Sequence, residues 1–282
     1  MKRFGLCLTG TLTVLFLVAS FASAQKLKPE EIIAKHLEAI GTAEARAAVK
    51  SQTIVGDAKV VFVSQKNMAA QGRVVMASAG PKNFFGLQLN AVDYPGEKFS
   101  FNGTKTAISA LMNGKRSVFG DFVDANELGV RESLFAGVLA SSWAMNDIAS
   151  KKVKLGSGSK KIDGKEYYTV DYNPKSGSDF DITLYFEKDT FRHARTEYKR
   201  TKSGGIGNNP NQSSQITQNV LKVVETYSDF RDEKGLMMPH VYKLNYSETG
   251  QGGSVEIEWE YALNDFQYNQ PLDEKTFDIN AK

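Results

Sequence analysis

The feature that most constrains this chain is a strict alternation of apolar and charged side chains close to its C-terminal end. From Val255 to Leu263 the odd-numbered residues are apolar or aromatic, and Glu256, Glu258 and Glu260 lie between them. Successive side chains of a β-strand point to opposite faces, so this pattern predicts a strand with one buried face and one solvated face. The preceding segment alternates in the same way.

Runs of this kind recur along the chain at short spacing, joined by turn sequences such as Asn102-Gly103 and Asp163-Gly164. There is no regular strand–helix–strand rhythm, so the strands are expected to pair antiparallel in one continuous sheet. The predicted strands are 54–63, 73–79, 83–92, 98–101, 105–111, 151–155, 166–172, 180–186, 191–199, 220–230, 236–247 and 254–263.

Three segments have helical spacing instead. A short amphipathic helix is predicted from Pro29 to Gly41, and one or two further turns at 43–49. A third helix is predicted over 126–145, where Leu134 and Trp143 belong to one apolar stripe. Glycine-rich segments at 156–159 and 203–218 are predicted to be turns or loops.

Strand twist accumulates, and a sheet of about twelve strands rarely stays flat. The expected fold is therefore mainly β (α+β): a single wide antiparallel sheet, curled into an unclosed half-barrel with the amphipathic helices as a lid. Residues 25–282 are predicted to form one domain.

Residues 1–24 resemble a secretory signal: Lys2 and Arg3 precede an apolar stretch, and Ala22-Ser23-Ala24 is typical of a cleavage site. The single cysteine, Cys7, lies inside that stretch, so we expect neither a lipid anchor nor any thiol chemistry after cleavage. These features predict export to the periplasm.

Charge and motifs exclude several functions. The signal carries two of the 35 basic residues, which leaves 33 against 32 acidic ones and no general attraction for nucleic acid. His36, His193 and His240 lack metal-ligand spacing, and no nucleophile elbow or phosphate loop is found. We expect no enzyme activity, no catalytic residue, no metal and no cofactor.

Short motifs dominated by turns span most of the mature chain. They are Asp229-Phe230-Arg231, Gly235-Leu236, Pro239-His240, the closing Asn269-Gln270-Pro271-Leu272-Asp273 with Phe277, and the hairpins around Asp163-Gly164 and Glu187-Lys188-Asp189. In these motifs the chain resembles the LolA/LolB-like outer-membrane lipoprotein-sorting superfamily. The resemblance implies an unclosed barrel with a helical lid and an apolar cavity for acyl chains, in a periplasmic carrier or sensor.

The pattern and the resemblance together predict a periplasmic carrier that binds lipid or lipoprotein acyl chains in an apolar cavity. The expected cavity residues are Phe85, Leu87, Leu89, Tyr168, Val170, Ile182, Leu184, Phe186, Tyr242, Leu244, Tyr246, Ile257 and Trp259. The expected lid residues are Leu134, Phe135, Leu139 and Trp143.

The expected partners are a lipid or lipoprotein, an inner-membrane donor and an outer-membrane acceptor, but not nucleic acid, and the chain is expected to be a monomer. Two other functions fit the pattern. One is a periplasmic signalling or interaction module of the same fold, which senses lipoproteins or docks a protein. The other is an outer-membrane β-barrel, since apolar and acidic residues also alternate in such strands.

Overall fold

Twelve antiparallel strands form one sheet in the computed structural model, which describes residues 26–66, 68–109, 116–202, 218–250 and 253–279. The strands match the predicted ones in number and order, with longer bounds for most. They are β1 Ser51–Phe62, β2 Met68–Ala79, β3 Lys82–Leu89, β4 Lys98–Phe101, β5 Thr106–Ile108, β6 Val153–Ile162, β7 Lys165–Pro174, β8 Asp181–Glu187, β9 His193–Lys202, β10 Asn219–Glu233, β11 Leu236–Gly250 and β12 Gly253–Tyr268.

The sheet consists of two meanders joined through β1 and β12. Its order is β5-β4-β3-β2-β1-β12-β11-β10-β9-β8-β7-β6, so β5 and β6 are its edges and it does not close into a barrel. Val60 pairs with Trp259, almost two hundred residues further along the chain. The predicted unclosed antiparallel sheet is therefore confirmed.

One face of this sheet is buried and the other is solvated. In β12, Ile257, Trp259, Tyr261 and Leu263 are buried, and the glutamates between them lie on the opposite face, as the alternation predicts. We call the end of the sheet where β1 stops and β12 begins the rim. The ladder pairs place the ends of β6 and β7, at Val153 and Pro174, at this same end.

The first helix, α1 (Pro29–Ile40), forms where it was predicted and buries Ile32, Ile33, His36 and Ile40. Glu31 accepts a hydrogen bond from the backbone N–H of Lys28 at 2.8 Å and so satisfies a donor at the helix N-terminus. A second short helix, α2 (Ala43–Ala48), follows, with Thr42 as its N-cap.

The continuous helix predicted over 126–145 is wrong. The segment contains α4 (Glu127–Arg131), a turn and two stretches of 3-10 helix, Gly137–Leu139 and Ala144–Ser150. Ser133 and Ala136 have φ values of 49° and 61°, which no right-handed helix allows. The backbone N–H of Ala136 donates instead to the Glu225 carboxylate at 2.8 Å, so a tertiary contact replaces the helical bond. The apolar stripe still faces the sheet.

A longer helix, α3 (Val118–Ala125), lies just before the segment that was predicted to be helical. Its N-cap Ser117 accepts a hydrogen bond from the backbone N–H of Gly120 at 2.8 Å. Phe119, Phe122 and Val123 are buried on the sheet. We call residues 116–150 the cover.

The predicted turn at 156–159 is also wrong, because these residues lie inside β6 and pair with β7. A Cβ on Gly156 would meet the Asp171 carboxylate at 3.2 Å, so a small residue suits close strand pairing there. Of the long loop predicted at 203–218, only residue 218 is among the described residues.

Gly56 gives a test of how the two meanders join. The β1–β12 register shifts between Val55 and Gly56, and a Cβ on Gly56 would lie 2.4 Å from the Ala262 carbonyl oxygen. We expect Gly56→Ala to lower the free energy of unfolding by about 2 kcal/mol, measured by urea denaturation.

The matched control is Asp57→Ala on the next residue, which is exposed and makes a 3.6 Å ion pair with Arg73. This variant should lower the free energy of unfolding by less than about 0.5 kcal/mol. An equal loss of unfolding free energy in the two variants would show that the close approach of Gly56 to Ala262 does not constrain the junction of the two meanders.

Candidate functional site

The predicted cavity and lid residues lie together on the covered face of the sheet. All of them are buried except Tyr168, which is half-buried, and all belong to or pack on one apolar cluster. The structure thus places these residues on one covered face, and their role in ligand binding stays a prediction.

The interior between cover and sheet is filled by the protein's own rings. Between ring centroids, Phe135 lies 5.0 Å from Tyr198 and 5.4 Å from Phe122. The Phe119 centroid lies 5.2 Å from that of Trp259. The gap lined by Phe85, Phe135 and Leu139 measures only about 20 Å³. The cavity expected beneath the cover is closed at this position, because large aromatic side chains of the cover occupy it.

A carboxyl group on the sheet holds the middle of the cover in place. Glu225, fully buried on β10, accepts hydrogen bonds from the Ala136 backbone N–H at 2.8 Å, from the Tyr198 hydroxyl at 3.0 Å and from the Tyr242 hydroxyl at 2.5 Å. Burial raises the pKa of Glu225 to about 7, although these donors favour the ionised form. The cover is therefore anchored on a group that titrates near neutral pH.

Two buried histidines lie under the same part of the cover. His36 donates through Nδ1 to the Phe191 carbonyl oxygen at 2.8 Å, and the His193 ring stacks on Trp143 at 5.0 Å between centroids. Burial lowers the pKa of His36 to about 4 and that of His193 as well. Both are neutral core side chains, and no group of three metal-ligating side chains occurs in the described residues.

These groups predict opposite pH dependences of stability. Burial raises the pKa of Glu225, so its contribution is present below the unfolded value of 4.5 and is lost as the pH rises through about 7. Burial lowers the pKa of His36 and His193, so their contribution is present above 6.5 and is lost as the pH falls. For these three groups together we expect the free energy of unfolding to be highest near pH 6.5, because two histidines gain stability up to that pH and only Glu225 loses it.

Glu225→Gln tests the alkaline side of that profile. From pH 5 to pH 9 the variant should lose about 3 kcal/mol less unfolding free energy than the wild type, because the amide does not ionise. Urea denaturation at each pH measures the difference. Glu258→Gln, the same change on the solvated face, should keep the wild-type profile, and parallel profiles for the wild type and Glu225→Gln would contradict the assignment.

An apolar pocket of about 400 Å³ opens at the rim, between the ends of β1, β2 and β12, the loop after β3 and the start of α3. Its wall includes Met68, Val92 and Val255, which are 59%, 81% and 39% exposed. They are the exposed large apolar side chains found among the described residues. A soluble protein rarely gathers such side chains around one opening, so this rim pocket is the candidate functional site.

Polar groups lie at the inner end of the rim pocket. Trp259 Nε1 donates to the Tyr94 hydroxyl at 3.3 Å, and that hydroxyl donates to Glu97 at 2.9 Å. The Ser117 hydroxyl also donates to Glu97. Burial raises the pKa of Glu97 to about 7. The base of the pocket is therefore a hydrogen-bonded network under an apolar wall.

Sequence reasoning found only part of this pocket. Ile257 and Trp259 were predicted as cavity residues and do line it, whereas Met68, Val92, Tyr94 and Phe119 were missed. The strand predicted over 83–92 ends at Leu89, and the chain then turns back toward β4. The sequence signal that could have predicted the pocket is the occurrence of the apolar residues Met68, Val92 and Val255 in or next to turns.

Comparisons with known proteins were made for sequence and for fold. No family model and no curated protein matches the sequence. Among solved structures, the chain is similar to a LolA superfamily protein. That protein is from Nitrosomonas europaea, with 13% identity, 89% of this chain and 97% of that chain covered, and a TM-score of 0.47.

Two further structures are similar. One is a putative outer membrane lipoprotein-sorting protein domain from Vibrio parahaemolyticus, with 11% identity, 90% and 98% coverage and a TM-score of 0.43. The other is the MucA/MucB complex of Pseudomonas aeruginosa, with 8% identity, 86% and 99% coverage and a TM-score of 0.23. In the part of this chain that the structure describes, no helix is long and apolar enough to cross a bilayer.

Proposed function

We propose that this chain is a periplasmic, non-enzymatic carrier that binds an acyl chain of a lipid or lipoprotein, with the rim pocket as its entrance. The observation that carries the proposal is the gathering of Met68, Val92 and Val255 around one opening whose inner wall is Trp259 and Phe119. The N-terminal signal pattern supports export. An inner-membrane donor and an outer-membrane acceptor would supply and take up the lipid.

The pocket wall suits a hydrocarbon tail because its apolar side chains outnumber its polar ones, and Asp93 is the single charged residue among the described residues that line it. Each buried CH₂ gains about 0.8 kcal/mol, so a sixteen-carbon chain could gain about 12 kcal/mol before the costs of binding. Such a ligand needs no charged partner in the wall.

The filled interior supports a mechanism for release. If the cover swings away from the sheet, Phe119 and Phe135 vacate the space over Trp259 and Tyr198, and a tail entering at the rim can take their place. The predicted cavity residues would then contact the tail. Because the protein's own rings refill the interior afterwards, net affinity is lowered and transfer to an acceptor is favoured.

The test measures binding of palmitate carrying a fluorescent label to the purified mature chain. We expect saturable binding to the wild type and at least about tenfold weaker binding to a Met68→Glu, Val92→Glu double variant, because two carboxylates at the opening would be desolvated by the tail. Trp259 emission in a Trp143→Phe background should change on binding.

The matched control is Val61→Glu, which places a carboxylate on the solvated face of β1, one residue before the pocket residue Phe62. It should bind like the wild type. Native mass spectrometry of protein from the producing cell adds a second readout. Recovery of one stoichiometric protein partner, without lipid and without palmitate binding, would replace the carrier with an interaction module.

A further inference from the structure

A second opening at the rim differs from the apolar pocket in its chemistry. It is a cleft of about 570 Å³ between the end of the cover and the edge strands, where β7 ends and β6 begins. Its charged lining residues are Arg131, Lys151, Lys152, Lys175 and Glu132. We call it the cationic cleft.

The positive charges of the cleft are largely uncompensated. Lys151 pairs with Glu132 at 2.7 Å, whereas Arg131, Lys152 and Lys175 form no ion pair with the described residues. Elsewhere the chain pairs many of its cations, and its overall balance of acids and bases is nearly even. Other cations of the described residues also lack an ion pair, so what is particular to Arg131, Lys152 and Lys175 is that they line one cleft together.

A tyrosine in the same cleft gives an independent indication of a ligand. Tyr172 is only 2% exposed and lines the cleft, yet its hydroxyl has no hydrogen-bond partner in the described part of the chain. Burial raises the pKa of Tyr172, so the hydroxyl keeps its proton and can donate. An unpaired donor that opens into a cleft next to free cations suits an acceptor that carries negative charge.

We propose that the cationic cleft binds a phosphate group, held by Arg131, Lys152 and Lys175 and by a hydrogen bond from Tyr172. A guanidinium and two ammonium groups match the several oxygens of a phosphate, and the Arg131 fork can contact two of them. The cleft is larger than one phosphate, so the group belongs either to a soluble phosphate ester or to the head group of a lipid.

This proposal stands apart from acyl binding, because it uses none of the residues of the rim pocket. The two openings nevertheless lie at the same end of the sheet, with α3 and α4 between them. A phosphorylated lipid could therefore meet both, whereas a soluble phosphate ester would need only the cleft.

The test uses the full mature chain with three probes: inorganic phosphate, vesicles of phosphatidylcholine, and the same vesicles containing phosphatidylglycerol. Calorimetry measures phosphate binding and flotation measures vesicle binding. A triple variant, Arg131→Gln, Lys152→Gln, Lys175→Gln, removes the free cations from exposed positions and should leave folding intact. The control, Lys154→Gln, Lys161→Gln, Lys199→Gln, removes the same charge from exposed positions on β6 and β9.

We expect binding that the triple variant weakens at least about tenfold and the control leaves unchanged. Tyr172→Phe should weaken it about fivefold. If inorganic phosphate shows this sensitivity, the ligand class is a soluble phosphate; if only phosphatidylglycerol vesicles show it, the class is a lipid head group. Acyl insertion would instead give binding to both kinds of vesicle, insensitive to the triple variant.

The proposal is overturned if neither phosphate nor phosphatidylglycerol gives binding sensitive to the triple variant. It is equally overturned if the control variant loses as much affinity, because net charge alone would then explain the effect.

Discussion

The structure depends on one constraint: a sheet of twelve strands with a single apolar face must have that face covered. The solvated face carries charged residues such as Lys59, Lys243 and Glu258, whereas the opposite face gathers aromatic and aliphatic side chains. The ladder between β1 and β12 joins two meanders into one surface, so the cover must span strands from both.

The position of the cover is fixed by polar groups in an otherwise apolar interior. Glu225 binds the Ala136 backbone and two tyrosine hydroxyls, and His36 binds the Phe191 carbonyl. Buried polar contacts of this kind specify one arrangement, since any displacement leaves an unpaired group without water. They also make the closed arrangement sensitive to pH, in opposite senses for the carboxyl group and the imidazoles.

Both proposed binding sites lie at the rim. One opening there is apolar and leads toward Trp259, and another is lined by uncompensated cations around Tyr172. The cover lies between them and contacts both, through Val118 and Phe119 on one side and Arg131 on the other. A movement of the cover would therefore change both openings together, which is the physical link between the two proposals.

The sequence by itself determined most of the strands and the buried face, because a period of two shows both locally, and it determined the antiparallel pairing, because short turns join the strands. It also placed the apolar stripe that includes Leu134 and Trp143 against the sheet. Only the tertiary structure decided the course of the cover, since the backbone N–H of Ala136 donates to the carboxylate of Glu225, which is 89 residues further along the chain, instead of to a helical carbonyl. It likewise decided that aromatic rings fill the interior around Phe135 and that the two candidate openings lie at the rim, because ring packing and strand ends depend on residues that are distant along the chain.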